Sequence, residues 1–217
     1  MKTVVGIFAH PDDEALGPSG TLAKLANEND VYLICVTSGE ASGKTKEEKL
    51  HIGETRRAEL RKSAAILGIK KVIFLGYHDG ELNNNMYHRL AADIQKKLEE
   101  LRPDTLMTFE WRGISGHIDH IAVSLVTTFV FNKIPTIKEL MCYCVCREES
   151  DLMQDYFIFF PPGYKKDDVH EVVSVADVWE TKVRAMQAHQ SQIHDVETLL
   201  HNTSSLPKEE YFLILKK

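Results

Sequence analysis

The run His10-Pro11-Asp12-Asp13-Glu14 packs one imidazole and three carboxyl groups into five residues. Such crowding is costly, because neighbouring carboxylates repel, unless a cation lies among them. An isolated Asp-Asp pair also reads as a helix cap with solvated neighbours, a reading that His10 and Pro11 in front of it weaken. A second run, Gly116-His117-Ile118-Asp119-His120, adds two imidazoles and another carboxylate. Alone, that histidine pair is an ordinary polar helix start. Taken together, the two runs supply two imidazoles and a carboxylate, a common catalytic zinc set that leaves a coordination position for water.

Each run stands where a strand ends and a helix begins. Residues 3–9 are β-branched and apolar and read as a strand, followed by a polar turn and a helix over residues 19–29. A strand over 31–37, a Gly/Ser/Lys-rich loop over 38–49 and a helix carrying Ala58, Leu60, Ala64, Ala65 and Leu67 come next, with Gly68 as its stop. A strand over 72–75, a helix over 87–101 halted before Pro103, a strand over 105–109 and a helix over 121–131 complete the regular part. Beyond Glu139 the order loosens into a cysteine-rich strand, a strand over 157–160, a helix over 176–189 and a closing strand over 211–215.

Alternating strands and helices imply a parallel sheet covered on both faces, because each parallel crossover needs a helix. The expected fold is α/β, a Rossmann-like open three-layer sandwich with a mainly parallel sheet, and residues 1–217 form a single domain. In such sheets ligands bind at the carboxyl ends of the strands, near the reversal of strand order. The loops after the first and fourth strands meet there, so His10, Asp13 and His120 can surround one ion.

These motifs strongly resemble the LmbE-like (PIG-L) N-acetylglucosaminyl deacetylase family. The likeness spans roughly residues 3–195 and takes in Arg56-Arg57-Ala58-Glu59, Leu75-Gly76-Tyr77 with Asp79-Gly80, and Lys182 with Ala188-His189-Gln190-Ser191-Gln192. It implies a zinc-dependent hydrolase that removes acetyl from the amide nitrogen of an N-acetylglucosamine-type sugar or conjugate. His10, Asp13 and His120 would be the ligands, with Fe2+ or cobalt as alternatives to Zn2+ depending on supply. Asp12 would be the general base toward metal-activated water. His117 would steady the oxyanion as a protonated imidazole or act as the acid, with Asp119 orienting it, and Glu14 keeps a structural role. Arg56, Arg57, Tyr77, Asp79 and His189 are candidates for the substrate pocket. The remaining histidines, His51, His78, His88, His170, His194 and His201, read as surface or packing residues. One departure from the family pattern is Leu16-Gly17-Pro18-Ser19-Gly20, where Pro18 suits a helix start and Ser19 a cap. Another metal-dependent amidase or esterase, or a non-catalytic sugar-binding module, stays open beside the deacetylase.

Bulk properties narrow the partners. The 217 residues carry a formal charge of −6, against a nucleic-acid or anionic-membrane footprint. No apolar run nears the roughly 20 residues that span a bilayer, and the first residues are too short for an export signal. A soluble small-molecule acetylated amino sugar is therefore the expected substrate and the cytoplasm the expected compartment; self-association into a homo-oligomer is left open. Cys142, Cys144 and Cys146 alternate, which points them to one strand face. Such an array closes a tetrahedron poorly, so a buried face in a reducing compartment is the better reading.

Overall fold

The first apolar run forms β1 (Thr3–Phe8), five of whose six residues are buried, as a strand covered on both faces requires. The computed structural model describes residues 1–41, 43–154 and 159–217. After β1 come α1 (Asp13–Leu16), α2 (Ser19–Glu28), β2 (Asp30–Cys35), α3 (Lys46–Ile66), β3 (Lys71–Phe74), α4 (Tyr87–Leu101) and β4 (Thr105–Phe109). The second half holds α5 (Gly113–Gly116), α6 (Ile118–Lys133), β5 (Glu139–Cys144), α7 (Arg147–Asp151), β6 (Glu171–Ser174), α8 (Trp179–Gln187), α9 (Ile193–Asn202) and β7 (Glu209–Lys216). One sheet runs β3-β2-β1-β4-β5-β7-β6.

Strand β1 pairs in parallel with β2 on one side and β4 on the other, so the strand order reverses between β1 and β4. A crevice opens above that reversal. Only β7 runs against its neighbours, pairing antiparallel with β5 and with β6.

Several boundaries differ from the sequence reading. Helix α3 starts at Lys46, inside the expected loop, because Thr45 and Glu48 form a reciprocal capping box: Glu48 N–H donates to Thr45 Oγ1 and Thr45 N–H to Glu48 Oε2, both at 3.1 Å. Ser19 does not cap α2; its hydroxyl donates to Ala15 O at 2.7 Å. Glu210 of β7 takes that place, accepting from Gly20 N–H at 2.9 Å and Thr21 N–H at 2.8 Å. A carboxylate suits the positive end of the helix dipole, and buried Lys182 of α8 balances it at 2.6 Å.

The expected strand at 157–160 lies outside the described residues at 157–158, and 159–160 form no strand. Strand β6 was not foreseen; its four residues lie at the sheet edge and are largely exposed, so little apolar pattern marks them. Cys142 and Cys144 lie on β5, while Cys146 falls beyond it and bridges to Tyr164. All four cysteines are free and buried, and burial pushes the Cys142 thiol up to about 12. No helix among the described residues is long and apolar enough to cross a membrane.

Candidate metal centre

His10 directly follows β1, and His120 lies in the first turn of α6, the long helix after β4. The two rings meet over the crevice, His10 Nδ1 standing 3.1 Å from His120 Nε2. Asp13 closes the group: Oδ1 is 3.2 Å from His120 Nε2 and Oδ2 is 3.6 Å from His10 Nδ1. Ligands about 2.1 Å from a tetrahedral zinc ion stand about 3.4 Å from one another; the His10–His120 separation is of that size, and Asp13 reaches the two rings with different oxygens of one carboxylate. The outward nitrogens are engaged as metal-ligating imidazoles require. His10 Nε2 faces Asp79 Oδ1 at 2.9 Å and Asp119 Oδ2 at 3.3 Å, and His120 Nδ1 faces Gly113 O at 3.0 Å. Gly113 has φ +71°, and a Cβ there would stand 2.8 Å from the His120 Cβ, so glycine is needed for this approach.

Among the described residues, single donor atoms lie within 4.8 Å of one another in two groupings, His10 with His117 and His120, and His10 with Asp79 and Asp119. The first lacks a carboxylate to offset a divalent charge. The second gathers on the Nε2 side of His10, where it orients the ring. In the metal-free site burial alone would lower the His10 pKa, but Asp119, Asp13 and Asp79 together raise it well above the ordinary value. Burial would likewise raise Asp13, yet His120 and His10 hold its carboxyl well below the usual range. A site this rich in matched acid and base has protons to exchange for a cation.

Asp12 points beside this group under unusual constraint. Its φ is +114°, in a region that non-glycine residues seldom occupy and that costs on the order of 1–3 kcal/mol. Its N–H donates to Glu14 Oε2 at 3.1 Å. Glu14 Oε1 in turn accepts from Ser63 Oγ at 2.6 Å and faces His189 Nε2 at 2.9 Å. On the opposite side Arg56 Nη2 donates to Asp12 Oδ2 at 2.9 Å and to Pro11 O at 2.8 Å, and Nη1 to Gly39 O at 2.7 Å. Gly39 leaves room for that guanidinium, since a Cβ there would stand 2.3 Å from it. Burial lifts the Asp12 carboxyl to about 6, with Arg56 pulling against the rise and Asp13 adding to it, a value suited to taking and returning a proton near neutrality.

His117 differs from its expected form. Burial, together with His10 and His120, lowers its pKa, so the ring is neutral near neutral pH. Its Nδ1 accepts from Asp119 N–H at 3.1 Å, which places the ring proton on Nε2. The Asp119 carboxylate acts on the ring through its charge and has other partners besides. That group accepts from Gly80 N–H at 2.8 Å and Leu82 N–H at 3.2 Å while facing His10, so it ties the loop after β3 to the ligand ring.

The crevice deepens into a cavity of about 430 Å³. His10, Asp12, Asp13, His117 and His120 line it, and of the five substrate candidates Arg56 and Asp79 do so as well. Arg57, Tyr77 and His189 stand elsewhere. Arg57 donates back to Gly53 O at 3.3 Å on its own helix, Tyr77 Oη donates to Asp93 at 2.6 Å, and His189 is fully buried against Glu14. Ser63 was missed; its place on α3 four residues after Glu59, which itself accepts from Ser191 N–H at 2.8 Å and Ser191 Oγ at 2.6 Å, marks the helix face turned to this support.

A model of the family described as PIG-L, GlcNAc-PI de-N-acetylase, matches residues 5–131. The chain is 32% identical over 199 residues to a probable N-acetyl-alpha-D-glucosaminyl L-malate deacetylase 2 of Bacillus anthracis, covering 88% of this chain and 81% of the relative. It is 30% identical over 197 residues to a diacetylchitobiose deacetylase of Thermococcus kodakarensis, covering 88% of this chain and 70% of the relative. In fold it resembles the N,N'-diacetylchitobiose deacetylase of Pyrococcus horikoshii, with a TM-score of 0.75 at 22% identity over 99% of this chain and 84% of that one.

Proposed function

Since the chain belongs to the PIG-L family of de-N-acetylases, we propose that it hydrolyses the acetamide of an N-acetylglucosamine-type sugar or conjugate, yielding acetate and the free amine. What most supports this reading is the meeting of His10 Nδ1, His120 Nε2 and the Asp13 carboxylate within 3.6 Å, with Asp12 beside them on the same cavity. We assign the cation as zinc, held by His10, Asp13 and His120, because two imidazoles and one carboxylate suit it; ferrous iron fits the same donors. When bound, such an ion brings the pKa of water toward about 7 and polarises the amide carbonyl.

The remaining steps fall to the chain. Asp12 accepts a proton from the attacking water and returns it to the departing nitrogen, while Arg56 holds its Oδ2 and fixes its direction. His117, neutral and protonated at Nε2, donates to the carbonyl oxygen as that oxygen gains negative charge. Asp79 and Asp119 keep the His10 ring turned toward the ion. We read residues 1–217 as one deacetylase domain acting on a small soluble sugar, and the free, buried cysteines suit the reducing cytoplasm.

The test is release of primary amine from a panel of N-acetylglucosamine derivatives, with chelator and after zinc is restored. Release that chelation abolishes and zinc returns is the expected result. A metal-loaded protein that releases no amine from any member would overturn the deacetylase assignment and turn attention to esters and other amides.

A further inference from the structure

The cavity runs on past the metal centre. Its walls there are Tyr143 at the end of β5, Val145 just beyond, Met153 and Phe160 from the segment after α7, Leu16 from α1 and Leu199 from α9. Leu16, Tyr143, Leu199 and Glu149 also line a second, smaller hollow, which marks them as the far end. Tyr143, Val145, Met153 and Phe160 are nearly wholly buried, so this part of the lining is largely apolar side chain.

The polar groups near these walls are Glu149, Gln192 and Asp195, two acids and an amide. Away from the metal centre, and among the described residues, the cation lining the cavity is Arg56, whose Nη1 and Nη2 already donate to Gly39 O, Pro11 O and Asp12. Lys182, on the neighbouring hollow, is spent on Gly17 O at 2.5 Å and Glu210 Oε1 at 2.6 Å. An anionic group brought here would face Asp195 and a partly charged Glu149, with Arg56 and Lys182 already paired, an arrangement that disfavours it. Burial also pushes the Glu149 carboxyl up to about 7, Lys182 pulling it down and Glu210 pushing it up, so it is partly uncharged near neutrality and offers a hydroxyl to a polar edge of a ligand.

We propose that this end takes the substituent attached to the acetylated sugar, and that the substituent it selects is uncharged and largely apolar, an aryl or short alkyl group. The inference rests on the deacetylase reading. It separates this chain from a relative named for an L-malate conjugate, whose substituent is anionic.

The experiment compares kcat/KM of the zinc-loaded chain for N-acetylglucosaminides carrying methyl, benzyl and malyl groups. The benzyl compound is expected to exceed the methyl one on the order of tenfold, through KM, as an apolar contact in a fitted pocket gives. The malyl compound is expected to fall below the methyl one. Equal values for methyl and benzyl, or a preference for malyl, would overturn the proposal and leave deacetylation standing. Should no compound release amine, the deacetylase reading fails separately, and calorimetry of the benzyl and malyl amines decides the pocket: tighter benzyl binding keeps the selection, equal or reversed binding ends it.

Discussion

The two ends of the cavity are built on opposite principles. At the metal end each of these groups is held by two partners: His10 by Asp79 and Asp119, His120 by Gly113 O and the stacked Phe109 ring, Asp12 by Glu14 and Arg56. At the far end the walls are mostly apolar side chains drawn from separate elements and loops, which offer a ligand packing surface. The first arrangement tolerates no displacement, because a cation and a proton acceptor act only at fixed distances. The second tolerates change, because apolar burial scales with area and has no direction.

If that contrast is sound, single changes differ steeply in effect between the ends. His10→Ala removes a proposed ligand and should abolish both zinc retention after dialysis and amine release; metal analysis and turnover together check it, and retained zinc at full stoichiometry would remove His10 from the ligand set. Asp12→Asn should retain the metal while lowering kcat by about 10²–10⁴-fold, the usual share of a general base. Near-normal turnover would reassign the base.

The pH profile sharpens the same end. As the proposed base Asp12 would act as its carboxylate, and its pKa of about 6 in the metal-free site would be drawn lower by an adjacent cation. The acid limb of kcat/KM should therefore have its midpoint at or below about 6, falling about tenfold per unit beneath it. A midpoint well above that would point to another group. The smallest effect belongs to the far end, where Leu199→Ala should raise KM for an apolar glycoside only a few-fold, with kcat held. A loss as large as that of Asp12→Asn would mean that the two ends are one rigid unit.

The same contrast governs what was legible in the sequence. His10 to Glu14 and His117 to His120 are contiguous, and each follows an apolar strand, so their meeting across β1 and β4 could be read from strand order. The support beneath Asp12 could not, because Ser63, His189 and Glu14 come from three distant stretches and carry no shared pattern. The form of His117 depended on an Asp119 N–H set by the first turn of α6, a detail of backbone direction that residue types do not carry. The cap of α3 was readable, since Thr45 and Glu48 have the spacing of a capping box. Its first turn lacks apolar residues, and periodicity alone placed it in a loop. The far end left no motif, because its walls are gathered from residues between 16 and 199 by tertiary packing.

Glu210 carries a consequence for how the molecule comes into being. The N–H groups it satisfies belong to Gly20 and Thr21, at separations of 190 and 189 residues, and its partner Lys182 also holds Gly17 O, just past the metal loop. A chain growing on the ribosome therefore extrudes the whole of the metal-binding half before the group that anchors α2 has been synthesised. Closure over so long a span is entropically slow, so the early half waits with its helix start unanchored and its ligand loop loosely seated. On the reading that this centre holds a cation, one arriving during that interval would meet an unfinished cage, and stable loading would follow the docking of β7.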